Sequence, residues 1–178
     1  MNSSGGVAMK HWFGLLAVLL VAVMMTGCGE KMTEDQLRAN ASDFESREQW
    51  KEAADMYARL VKAYPKSKRA DETLYRLGVL YANNLKDYQK SVEAYKQLIS
   101  KYPKSNYIIQ SSFMIGYRYA NDIKDFDKAK KYYQEFLKKW PTHELASSVK
   151  WELDHLGKDI SELELQLGTP APDAAAQQ

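Results

Sequence analysis

Apolar side chains recur along this chain at three- and four-residue steps, in blocks that each end at proline. Trp50, Ala53, Ala54, Tyr57, Leu60, Val61 and Tyr64 form one stripe, and Tyr88, Val92, Tyr95, Ile99 and Tyr102 form a second. That spacing puts the side chains on one face of an α-helix. Each stripe closes on an aromatic-proline pair, Tyr64-Pro65 and Tyr102-Pro103, and a third pair follows at Trp140-Pro141. The three prolines stand 38 residues apart. A fixed period of this length marks a helical repeat array, whose units are too small to bury their own apolar faces and do so by stacking on one another.

The units align position by position. Leu74, Leu77-Gly78 and Tyr81 lie on a first helix of the second unit, and Tyr88, Ser91, Tyr95 and Leu98 on the next. Ser112, Ile115-Gly116, Tyr119, Phe126, Ala129, Tyr133 and Phe136 take the same places in the third. The first unit offers Leu37, Ala41, Phe44, Trp50, Ala53, Tyr57 and Leu60. Gly78 and Gly116 fall where two helix backbones must approach closely, which offsets the 0.5–1 kcal/mol or so that glycine costs inside a helix. Helix starts are marked by Thr33 with Gln36, by Asp87 and Asp125, and by Asp159 with Glu162. After Pro141 the pattern predicts a capping helix from about His143 to Leu156, with Leu145, Val149, Leu153 and Leu156 on one face and Gly157 as its stop. Ile160, Leu163 and Leu167 fit a further short helix, while Leu163, Leu165 and Leu167 alternate as in a strand. The Pro/Ala/Gln-rich residues 168–178 carry no stripe and are expected to be disordered.

The amino terminus has another character. Trp12 to Met25 is apolar, with Lys10 before it and Thr26-Gly27-Cys28 after it. Charge, apolar stretch and small-residue site are the layout of a secretory signal, and the run is shorter than the roughly 20 residues a membrane span needs. Met9-Lys10 reads as a start site as naturally as Met1 does. The expected organisation is a signal peptide at 1–27, a short linker at 28–32, the repeat array with its capping helices at 33–167, and a tail at 168–178.

These residues carry two resemblances. The small residue of the first helix, the aromatic one turn later, the Ala and aromatic of the second helix and the terminal proline resemble the tetratricopeptide repeat over about Thr33 to Trp140. The implied fold is all-α, an α-solenoid of three helix-turn-helix repeats plus a carboxyl-terminal capping helix. Compared with the 34-residue family period, most of the extra length falls between Pro65 and Gly78, which predicts a first helix lengthened at its start. Met25-Thr26-Gly27-Cys28 resembles a bacterial lipobox with Met in place of the usual Leu, and Cys28, the only cysteine, is then the lipidated residue. A small buried thiol is the alternative reading. With Gly29 rather than Asp after the cysteine, the resemblance implies the outer membrane, facing the periplasm. Period, lipobox and Tyr-Pro-Lys-Ser endings together resemble the periplasmic repeat lipoproteins of the BamD and CpoB type.

Little else in the chain suggests chemistry. After Cys28 there are 24 basic and 23 acidic residues with interspersed signs, which offers no nucleic-acid footprint. His143 and His155 lack a third partner at metal-ligand spacing, so exposed or capping roles suit them. There is no glycine-rich phosphate loop and no HExxH segment. Asp122, Asp125 and Asp127 fall where a helix-helix turn is expected and read as caps. No enzyme activity, metal, small-molecule substrate or cofactor is therefore expected beyond a covalent lipid on Cys28. What remains is a partner-binding groove, which the family pattern assigns to Arg38, Tyr75, Val79, Asn83, Phe113, Tyr117 and Asn121. Asn83 and Asn121 occupy equivalent places and could pair with the backbone of an extended peptide or cap their own helices. The resemblance implies a scaffold for envelope proteins or peptides, as in outer-membrane protein assembly. A pilotin-like chaperone for a secretin or pilus subunit, and a structural role in envelope or peptidoglycan organisation, stand beside it.

Overall fold

The computed structural model describes residues 31–158. The expectations for the signal segment, Cys28, the segment Asp159 to Leu167 and the tail fall outside the described residues. From Glu34 onward the described chain is helical, without a strand: α1 Glu34–Ser46, α2 Trp50–Ala63, α3 Ala70–Asn83, α4 Tyr88–Lys101, α5 Ile108–Tyr117, α6 Phe126–Lys139 and α7 Ala146–Asp154. The α-solenoid is thus observed. Helices pair as α1 with α2, α3 with α4 and α5 with α6, and the pairs stack through α2 on α3, α4 on α5 and α6 on α7. The apolar stripes point inward, with Tyr57, Leu60, Leu74, Tyr95, Leu98, Ile115, Tyr133, Phe136 and Val149 buried.

The two glycines sit where the stripes require them. A Cβ on Gly78 would lie 2.5 Å from the Tyr95 ring, and one on Gly116 would lie 2.6 Å from the Tyr133 ring. Ala41, fully buried, takes this place in the first unit. One period further on, in α7, it is held by the exposed Asp154.

Each turn within a pair places a non-glycine residue in the left-handed region: Glu48, Lys86 and Lys124, with φ of 56°, 55° and 60°. The next residue is the cap of the second helix, where the Asp87 and Asp125 carboxylates accept from the backbone N–H groups of Lys90 and Lys128 at 3.1 Å. Gln49 makes no such bond. Helix α1 begins directly after Thr33.

The one-residue excess of the second and third units over the first has a local solution. The turn closes from Gln49 N–H to the Phe44 carbonyl in the first unit, but from Asp87 to Tyr81 and from Asp125 to Tyr119 in the others. In the third unit the added residue widens Arg118–Ile123 into a π-helical segment continuing α5, as an insertion in an i→i−4 ladder does. In the second a single wide bond, Leu85 N–H to the Leu80 carbonyl at 3.2 Å, absorbs it.

The joints between units correct one expectation. The extra residues there do not lengthen the first helix; Tyr64–Arg69 form turns, and α3 starts only at Ala70. Within each joint a side chain accepts from the backbone N–H two residues on: Ser67 from Arg69 at 3.2 Å, Ser105 from Tyr107 at 3.1 Å, and His143 Nδ1 from Leu145 at 3.1 Å. His143 is thereby a joint acceptor. The capping helix is shorter than His143 to Leu156: α7 covers Ala146–Asp154, and Gly157, at φ 77°, follows it as the stop. Its start lies one period after those of α5 and α3, so α7 is the first helix of a fourth unit.

Candidate partner-binding groove

The first helices of successive units, α1, α3, α5 and α7, repeat their outward positions at the period of the array. Tyr75, Phe113 and Trp151 form one row, Val79, Tyr117 and His155 a second, and Asn83 and Asn121 a third. Trp151 and His155 were absent from the sequence-based set. The signal for them was the offset of 38 from Phe113 and Tyr117, which reading α7 only as a cap concealed.

The structure does not leave the assigned residues equally available. Arg38, half-buried, is ion-paired with Glu34 at 3.1 Å, and the Glu34 carboxyl also accepts from the Ser67 hydroxyl at 2.5 Å. The Ser67 bond chiefly, then Arg38, holds that carboxyl below its ordinary value. Tyr75 stacks on Tyr107 with centroids 4.8 Å apart and tilts against Tyr95 at 5.8 Å. Phe113 meets Tyr117 at 5.9 Å and Tyr133 at 6.5 Å. Both pack against the core: Tyr75 reaches the next unit through Tyr107, and Phe113 packs within its own unit on Tyr133. Val79 is half-buried and Asn83 exposed. Tyr117 is half-buried under the Arg118 guanidinium, 5.4 Å from its ring, and Arg118 pairs with Asp122 at 2.8 Å.

Polar latches cross the groove at a common offset. Arg76 of α3 pairs with Glu45 of α1, and Asn121 of the π-helical segment after α5 donates to Glu152 of α7 at 3.3 Å. Each pair is 31 residues apart in sequence. At the same offset between α3 and α5 stand Asn83 and Met114, and a thioether is too weak an acceptor to complete the pattern. Asn121 also donates to the Tyr117 carbonyl at 3.3 Å, so its amide is engaged at the end of its own helix.

The same substitution governs the buried tyrosines beneath. Burial pushes the Tyr57 and Tyr95 phenols up to about 12, and burial followed by the Glu152 carboxylate pushes Tyr133 up as well. The Tyr133 hydroxyl donates to Glu152 at 3.3 Å. Met114 stands where that carboxylate would be one unit earlier, and the Tyr95 hydroxyl makes no hydrogen bond of good geometry among the described residues.

At the carboxyl-terminal end, a cleft of about 630 Å³ opens between α5, the start of α6 and α7. Tyr117, Asn121, Phe126, Trp151 and His155 line it. Phe126 and Trp151 are the exposed large apolar side chains among the described residues, at 41% and 55%. Trp151 stacks on His155 at 4.5 Å. Aromatic walls with Lys124, Glu152 and Lys158 at the rim suit an apolar side chain of a peptide whose backbone hydrogen-bonds at the edge. Among the described residues no group of three or more His, Cys, Asp or Glu side chains could hold a metal.

A family model described as tetratricopeptide repeat matches residues 41–67, 72–105 and 110–143, each span falling within one of the helical units. No curated protein matches the chain.

Proposed function

Because the chain belongs to the tetratricopeptide repeat family, a family of protein-binding scaffolds, we propose that it is an outer-membrane lipoprotein, anchored through Cys28, whose periplasm-facing array binds envelope proteins or extended peptides. In this reading residues 1–27 are a signal removed on export and the described array is the working part. The observation that carries the binding role is the cleft with Trp151 and Phe126 exposed in it, since aromatic anchors in concave sites supply most of an interface's energy. The lipobox-like segment Met25-Thr26-Gly27-Cys28 supports the anchor, and partner service in outer-membrane protein assembly fits both.

Two measurements test the proposal. Cys28→Ser should take up no labelled palmitate and should leave the outer-membrane fraction; normal incorporation would remove the anchor from the reading. Trp151→Ala with Tyr117→Ala should abolish recovery of the partners cross-linked by the unaltered protein in the envelope, while helical content stays constant. Undiminished cross-linking would move the binding site away from this cleft.

A further inference from the structure

The signs of charge, interspersed along the sequence, separate in space. The second helices of the units, α2, α4 and α6, carry 11 Lys and Arg against 5 Asp and Glu. The first helices, α1, α3, α5 with its π-helical continuation and α7, carry 4 against 9. First and second helices alternate, so a nearly neutral chain acquires an acidic groove side and a basic opposite side. The joints add Lys66, Lys68, Arg69 and Lys104 against Glu144.

The basic side also carries apolar slots. Between α4 and α6 lies a cleft of about 210 Å³ lined by Ile99, Ile115 and Phe136 together with Lys96, Lys139, Trp140 and one carboxylate, Glu135. One unit earlier, between α2 and α4, a cleft of about 600 Å³ has Lys62, Lys101 and Lys90, the last paired with Asp87, against Glu93 among its lining residues, with Val61, Leu74 and Leu77 beside them. Lys96 is held in place, its Nζ 3.1 Å from the Tyr119 hydroxyl and 5.1 Å from the Tyr132 ring centroid. Lys139 lies 4.7 Å over Trp140. Lys130, Lys131 and Lys138 on α6 are exposed.

We propose that the face built by α2, α4 and α6 docks on an anionic phospholipid surface, which turns the acidic groove away from the membrane. Amines in the clefts match the phosphates, and the apolar residues beside them suit the glycerol and upper acyl region, where Trp and Lys side chains divide between apolar and polar surroundings. A sugar-phosphate polymer would find phosphate partners on this face but no use for the apolar slots. The charge separation stands whether or not Cys28 carries lipid, so this docking and the anchor fail independently.

The test uses the full chain on vesicles of phosphatidylcholine alone and of equimolar phosphatidylcholine and phosphatidylglycerol, with amine acetylation as a footprint. Lys130, Lys131 and Lys138 should be protected on the anionic vesicles only, Lys150 and Lys158 on neither, and about 0.5 M salt should remove the protection. The triple change Lys130→Gln, Lys131→Gln and Lys138→Gln should reduce the preference for anionic over neutral vesicles on the order of a hundredfold. Lys31→Gln, Lys150→Gln and Lys158→Gln, which remove the same charge elsewhere, should preserve it. Equal losses in the two triple variants, uniform protection of all lysines, or a duplex oligonucleotide bound as tightly as the anionic vesicles would each overturn the proposal.

Discussion

Tyr95 and Tyr133 occupy the same place in successive units, and the same substitution should act on them in opposite directions. Each ring is wholly buried and lies against a glycine of the preceding helix, so replacing either with Phe preserves shape and apolar area. Only the hydroxyl is removed. At Tyr133 this deletes the bond to the Glu152 carboxylate. A hydrogen bond to a charged group contributes about 1.5–3 kcal/mol, and the 3.3 Å length places this one at the lower end, near 1.5 kcal/mol. At Tyr95 the deleted hydroxyl is buried beside the Ser91 hydroxyl of the same helix, and neither makes a hydrogen bond of good geometry. Burial of such a group is unfavourable by about 1–3 kcal/mol, so Tyr95→Phe should be neutral or stabilise by about 1 kcal/mol. The two variants should then differ by roughly 2 kcal/mol, or about 8 °C in Tm for an array of this size. Thermal denaturation followed by circular dichroism reads both. Equal shifts, or a larger loss for Tyr95→Phe, would show that Glu152 is not the acceptor that distinguishes them.

Gly116→Leu should destabilise by about 1–3 kcal/mol or more through overpacking against Tyr133, whereas Lys124→Gly should stabilise by about 0.5–1 kcal/mol by relieving a left-handed residue; urea midpoints moving together would refute the assignment of these positions. Gln49→Asp should gain about 0.5–2 kcal/mol by giving α2 the cap that α4 and α6 have, and an unchanged midpoint would count against the capping account. The Glu34, Glu72, Asp87 and Asp125 carboxyls are held below their ordinary values of 4.5 and 3.8, chiefly by hydrogen bonds from Ser67, Arg69, Lys90 and Lys128 respectively. Folded values lower than unfolded ones mean stability present above the ordinary range and lost as the pH falls through the lowered values. The Tm should therefore drop below about pH 4.5, and a flat profile down to about pH 2.5 would contradict those bonds.

The repeat was legible because it is local. Stripes, prolines and glycines at one period determine which helices pair and which residues touch, and the contacts of Gly78 with Tyr95 and Gly116 with Tyr133 follow from register alone. Features that depend on chain geometry between elements were not. A one-residue excess between Phe44 and Ala53's counterparts can be absorbed in a loop or a helix, and only the coordinates place it in the π-helical Arg118–Ile123. The groove set follows the family pattern, and the engagement of Tyr75 by Tyr107 of the next unit and of Phe113 by Tyr133 of the paired helix has no signature in a single helix. Trp151 and His155 were missed because α7 lacks the glycine that identifies its relatives. Charge separation was hidden by counting along the chain, where acidic and basic helices alternate.

Asp154 interrupts the series of glycine seats along the array. Where Gly78 and Gly116 leave room for a tyrosine ring from the following helix, α7 carries an aspartate, whose side chain fills the space that the ring takes in the earlier units. The interior joints, by contrast, are copies of one another, each closing through the same backbone bond to Ser67 or Ser105. A duplicated 38-residue block spliced at Pro103 would meet the surfaces it expects on both sides. The middle of the array is thus the place where its length can change without a new kind of joint, whereas at α7 the carboxylate of Asp154 interrupts the series of glycine seats.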